Sequence, residues 1–114
     1  MAYRLYLDER NVTDIFGKKL PAPILGRIGM GGDDYHAKAD WGMDIFQVDQ
    51  SLGVGGLGTI RDGRAEQIGP SVISAQVEAD GPVLAAVRVE DKGWRGASGP
   101  VTLGARYSIA AGSR

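Results

Sequence analysis

The chain has 114 residues, a formal net charge of −1 and no cysteine, with a pI near 5.7. That balance leaves no basic field for nucleic acid and no polybasic patch for a membrane surface, and the absence of thiols excludes disulfides and thiolate metal sites. No apolar run approaches the roughly 20 residues of a membrane-spanning helix, and 18 glycines favour turns and bulges over helices.

A chain of this size is expected to form one β domain over 1–114. Tyr3, Leu5 and Leu7 alternate with Arg4, Tyr6 and Asp8, which predicts a strand over 2–8 rather than a secretory signal. Asp8-Glu9-Arg10-Asn11 reads as a turn, and Val12 to Phe16 as a short apolar piece closed by Gly17. Lys18-Lys19 reads as a solvated pair. Pro21 and Pro23 forbid regular ladder pairing and force an extended loop, with Ile24, Leu25 and Ile28 tucked beneath it.

The segment from 29 to 58 concentrates the chemistry. It holds the single histidine, His36, together with Trp41 and the aspartates Asp33, Asp34, Asp40, Asp44 and Asp49. His36, Asp40 and Asp44 would share one face of a helix, but Gly31-Gly32 and Gly42 favour a loop with at most one helical turn. Ile45, Phe46 and Val48 are expected to be buried. A strand interrupted by glycines follows over 54–60, and the run from Gly53 to Gly58 lacks the GK[ST] ending of a phosphate loop.

Beyond this segment the alternation is regular. Arg61-Asp62-Gly63 is a hairpin turn. Ile73, Ala75, Val77 and Ala79 alternate with polar residues and predict a strand over 71–80, turned at Asp80-Gly81-Pro82 into a second over 82–90. Asp91 to Gly99 reads as a polar loop carrying Trp94, and the last strand is expected over 100–110. The pattern is that of an all-β, antiparallel β-sandwich. Alternation close to both ends predicts sheet edges that need a partner, hence an incomplete domain that self-associates through exposed edges.

His36 titrates near neutrality and is the first candidate for a general base or acid. Tyr35 suits a proton donor or a packed aromatic with its hydroxyl at the rim, with Asp34 and Asp40 close by in sequence. Trp41 and Trp94 suit platforms for a sugar ring, or simple packing. Asp33, Asp34, Asp40 and Asp44 are ligand types for calcium, but their spacing matches no EF-hand loop. A zinc site lacks diagnostic spacing as well, so no metal and no cofactor is assigned.

The run DYHAKADWGMDIFQVDQSLGVGGLG, preceded by DERNVTDIFGKKLP and followed by ADGPVLAAVRV, resembles the bacterial domain-of-unknown-function 4861 family. The matching motif is Asp34-Tyr35-His36, then Asp40-Trp41-Gly42-Met43-Asp44, then Ser51-Leu52-Gly53. Members of that family are typically several times longer, exported, and encoded beside enzymes that degrade uronic-acid polysaccharides such as pectin and ulvan. The resemblance implies that this chain is a fragment of a larger sandwich of the carbohydrate-enzyme type, exported or periplasmic, with an oligosaccharide or polysaccharide as partner. The enzyme reading is a lyase or dehydratase acting by β-elimination or dehydration. His36, Tyr35 and Asp40 would be its catalytic groups, Arg27 or Lys38 would meet the substrate carboxylate, and Asp34 and Asp44 would support the loop. The alternative is a non-catalytic carbohydrate-binding or structural module carrying Trp41 and Trp94; hydrolysis by paired carboxylates is a weaker third option.

Overall fold

The computed structural model describes residues 1–30, 34–96 and 98–113. Within them the chain is all-β and antiparallel, apart from a single 3-10 turn at Leu25–Arg27. Strands β1 (Ala2–Leu5), β2 (Thr13–Lys18) and β3 (Gly42–Asp44) form one sheet in that order. Strands β4 (Gly58–Arg61) and β5 (Arg64–Gln67) form a hairpin. Strands β6 (Val72–Asp80), β7 (Leu84–Gly96) and β8 (Gly99–Ala110) form a third sheet, a simple meander.

The expected turn at Arg61-Asp62-Gly63 joins β4 to β5. Asp62 and Gly63 both take positive φ, 51° and 75°, the backbone that matches the twist of a two-residue hairpin. The expected strands over 71–80, 82–90 and 100–110 correspond to β6, β7 and β8. The polar loop expected from Asp91 to Gly99 is instead hairpin: β7 runs on to Gly96, and Trp94 pairs with Val101. A register shift between Lys92 and Trp94 absorbs Gly93, at φ 77°, so one bulged residue lets the ladder continue through a polar stretch.

Two short strands, β2 and β3, lie where the sequence suggested an apolar piece and a loop. Ile45 and Phe46, expected to be buried, are 56% and 40% exposed, whereas Val48 is buried. β3 ends at Asp44, and it is the Asp44 side chain that turns inward. In and just after β1, Tyr3 and Leu7 are exposed while Arg4, Leu5 and Tyr6 are half-buried.

The apolar core is small, built from Val12, Phe16, Ile24, Val48, Ile68, Ala86 and Val89. A polar junction ties the first sheet to the third. Asp91, fully buried on β7, accepts a hydrogen bond from Nδ2 of Asn11 and another from the Ser71 hydroxyl at 3.2 Å. Burial pushes the Tyr107 phenol above its ordinary range, Thr13 opposing the shift and Asp91 adding to it. Asn11 stands at φ 43°, a left-handed conformation that asparagine tolerates better than most residues.

The approach of β3 to β2 depends on glycine. At Gly42, with φ at 140°, a Cβ would sit 1.9 Å from the Gly17 carbonyl oxygen. Gly42→Ala is therefore expected to cost about 3 kcal/mol or to prevent folding. Gly26, with nothing within 4 Å, should tolerate alanine to within about 0.5 kcal/mol. Urea unfolding of the two variants checks the pair, and equal stabilities would refute the close-approach argument.

Candidate active site

Strand parity builds the floor of the site. In the first sheet Ala2 lies opposite Phe16 and Arg4 opposite Asp14, while Phe16 lies opposite Asp44. Directly paired residues share a face, as do residues two apart. Arg4, Asp14, Phe16 and Asp44 therefore stand on one side of the sheet. Tyr6 extends that row just beyond β1, its N–H bonded to the Val12 carbonyl at 3.0 Å.

A turn lies across this face. Asp34 caps it: its Oδ1 accepts the His36 N–H at 3.1 Å and its carbonyl accepts the Ala37 N–H at 3.2 Å. The Tyr35 carbonyl takes the Asp44 N–H at 3.0 Å, which anchors the turn to the end of β3. The Tyr35 ring lies 6.0 Å from Phe16 and 4.4 Å from the His36 ring. The Arg4 guanidinium sits 4.9 Å from both the Phe16 and the Tyr35 ring and donates to the Ile28 carbonyl at 3.3 Å.

His36 and Asp44 meet here. Nδ1 of His36 and Oδ2 of Asp44 are both buried atoms without an aligned hydrogen-bond partner and lie 2.7 Å apart, a close contact between imidazole and carboxyl. The Asp44 side chain is wholly buried while the imidazole is 39% exposed, so the ring presents its other edge outward. Oδ1 of Asp44 accepts the Phe46 N–H at 2.9 Å. On the same face, two residues from the Phe16 that pairs with Asp44, stands the second buried carboxyl, Asp14. Oδ1 of Asp14 accepts the Ile15 N–H at 2.9 Å, and its Oδ2 receives the Tyr6 hydroxyl at 3.5 Å. Burial first, and then Asp44, push the Asp14 carboxyl up to about 6 from its ordinary 3.8, against the pull of the Ile15 N–H and Arg4. Burial also raises the Tyr6 phenol, with Tyr35 and Asp14 adding to the effect and Arg4 opposing it.

These groups line an open cleft of about 290 Å³, whose wall is completed by Arg10, Gln47, Val48 and Asp49. The Arg10 guanidinium lies 4.4 Å over the Tyr6 ring and pairs with Asp8. Of the residues singled out from sequence, Tyr35, His36 and Asp44 come together in this cleft. Asp40 and Trp41 occupy the tip of a tight turn closed by mutual backbone bonds between Ala39 and Gly42, which carries them away from the cleft wall. Trp41 packs at 6.2 Å from Phe16. Arg27 is exposed on the 3-10 turn, Lys38 is exposed in the loop, and Trp94 belongs to the third sheet. Asp33 lies outside the described residues. Among those described, no three His, Asp or Glu side chains gather as a metal site.

Sequence reasoning passed over Arg4, Tyr6, Arg10 and Asp14. The signal was present in the alternation: Arg4 and Tyr6 form the polar row of β1, and Asp14 is two residues from Phe16. The more buried face of this sheet is the mixed one that carries Arg4, Tyr6, Asp14 and Phe16.

The raised Asp14 carboxyl has a consequence for stability. In the folded chain Asp14 keeps its proton to about pH 6, whereas an ordinary aspartate loses it near 3.8. The folded state binds the proton more tightly, so this contribution to stability is complete below pH 3.8 and is lost as pH rises through about 6. Asp14→Asn removes it. The melting temperature of the variant relative to the wild type should climb as pH passes from below 3.8 to above 6; a pH-independent difference would contradict the assignment.

No curated protein and no solved structure matches the chain. A family model described as a domain of unknown function, DUF4861, matches residues 1–114, and the chain belongs to that family.

Proposed function

We propose that the cleft carries out proton-transfer chemistry on a uronic-acid-containing oligosaccharide, by β-elimination or dehydration. The observation that carries the reading is the His36–Asp44 pair. A buried carboxylate facing Nδ1 fixes the orientation of an imidazole whose opposite edge is open to the cleft. That is the construction of a general base held in one tautomer by an acidic partner.

The chemistry needs a base for the proton α to the substrate carboxylate, a cation beside that carboxylate, and an acid for the leaving oxygen. His36 takes the α-proton on Nε2. The electron pair left on carbon forms the new C=C bond as the β C–O bond breaks, and the departing oxygen takes a proton from a tyrosine hydroxyl. Two tyrosines, Tyr35 and Tyr6, line the same cleft. Arg10 is the cation on its wall, a planar donor suited to a carboxylate. The uronate itself is argued from the sequence resemblance together with this donor set.

The full chain, incubated with pectin- and ulvan-derived oligomers, is expected to generate the ultraviolet absorbance of an unsaturated uronate. His36→Ala should lower the rate by at least about 100-fold. Its melting temperature should stay within a few degrees of the wild type, since the ring is partly exposed. Binding of the oligomers without any turnover by the wild type would replace this reading with a carbohydrate-binding module.

A further inference from the structure

We infer that Asp14 is a positioning residue of this site: paired with Asp44 beneath the imidazole and reached by the Tyr6 hydroxyl, it carries the proton of the carboxyl pair and so keeps Asp44 an anion facing His36. The inference rests on the acid–base reading of the cleft and deepens it.

Two neighbouring buried carboxyls repel one another as anions, so below about pH 6 the pair holds one proton between them. The donors around each decide where it resides. Asp44 has the Phe46 N–H on one oxygen and Nδ1 of His36 at 2.7 Å from the other, so both oxygens face groups that favour the charged form. Asp14 has the Ile15 N–H on one oxygen. Its other oxygen meets only the Tyr6 hydroxyl, at the long distance of 3.5 Å, and the carboxyl lies against Asp44. The neutral acid on Asp14 can donate to Asp44, which adds a further hydrogen bond to the anion.

The surrounding charges agree. From β1, Arg4 favours an anionic Asp14, but it is held between Phe16 and Tyr35 and bonded to the Ile28 carbonyl. Tyr6 is a weak acid held neutral by its own raised phenol, and Arg10, stacked over it, lies farther out and pairs with Asp8 on the open side. From β3 comes Asp44, and from the turn above come Tyr35 and His36. Burial and the neighbouring carboxylate outweigh Arg4, and Asp14 holds its proton to about pH 6.

Two states follow. With Asp14 protonated, its hydroxyl is available to donate to Asp44, whose other oxygen lies 2.7 Å from Nδ1 of His36. When Asp14 ionises, the donor to Asp44 is lost and a second negative charge appears beneath the ring. His36 then experiences a different field without any change in its own contacts.

The test is ¹⁵N and ¹³C NMR of the full-length chain across pH. In the wild type the Asp14 carboxyl carbon should titrate near pH 6, and the His36 ring nitrogens should show an inflection at the same pH. Asp14→Asn, whose amide can still donate to Asp44, should keep the Nδ1–H tautomer and lose that inflection. Asp14→Leu, which cannot donate, should lose both. An Asp14 carbon that titrates only near 3.8, or a His36 titration identical in the wild type and Asp14→Asn, overturns the inference; the carbon measurement needs no variant, so a poorly folding variant does not remove the test. The two readings separate cleanly. Linked titrations with no turnover of uronate oligomers would sink the substrate proposal and leave the role of Asp14 standing. Turnover without linked titrations would do the reverse.

Discussion

Cross-strand parity in the first sheet governs the cleft, because every contact there requires β1, β2 and β3 to stay in one register. Arg4 meets Asp14 and Phe16 meets Asp44 only while those positions are paired. A slip of one residue would carry each side chain to the opposite face. The register is held from two sides. Gly42 admits the Gly17 carbonyl where any Cβ would collide, and Gly53 admits the Thr13 carbonyl in the same manner, at φ 70°. Glycine thus sets how closely the backbones approach, and that approach sets which carboxyls touch.

The second constraint is the polar character of what is buried. Asn11, Thr13, Asp14, Asp44 and Asp91 are all nearly inaccessible, beside a modest set of apolar residues. Buried carboxyls weaken a fold unless hydrogen bonds satisfy them. Each of the three here has at least one donor: the Ile15 N–H and Tyr6 for Asp14, the Phe46 N–H for Asp44, Asn11 and Ser71 for Asp91. Their surroundings nevertheless differ in kind. Asp91 receives neutral donors from Asn11 and Ser71 and stands outside the cleft lining, which suits a rivet between sheets. Asp14 and Asp44 lie against each other and under a partly exposed imidazole, which suits proton exchange.

Much of the architecture was legible in the chain. The long strands β6, β7 and β8 follow from sustained alternation between turn residues, and the β4–β5 hairpin follows from Asp62-Gly63. The short strands were not legible, because three to six residues carry too little periodicity to separate strand from loop. The site was legible in part. His36 and Tyr35 stood out by type and setting, but the partner of His36 was hidden by distance along the chain. Asp44 reaches it because the turn from Ala39 to Gly42 folds β3 back beneath the ring, a tertiary event that spacing alone does not encode. Asp40 sits in that same turn, and so the nearer aspartate in sequence is the one that points elsewhere.

Arg4 and Tyr6 show how a polar row can take the inner face. On a strand with one wet face, the polar row should be the outer one. Here the inner face is covered by aromatic and charged groups that satisfy one another: Arg4 between Phe16 and Tyr35, Tyr6 between Arg10 and Asp14. An apolar cover would have packed more favourably and left the cleft without chemistry. A partly enclosed face that gathers five titratable side chains — Tyr6, Asp14, Tyr35, His36 and Asp44, two of them buried carboxyls — departs from what stability alone selects, and such departures mark functional sites more often than packing errors. The exposed Tyr3 and Leu7 on the opposite side are the complement of that choice. Their alternation gives β1 its strand character, while the residues between them supply the chemistry.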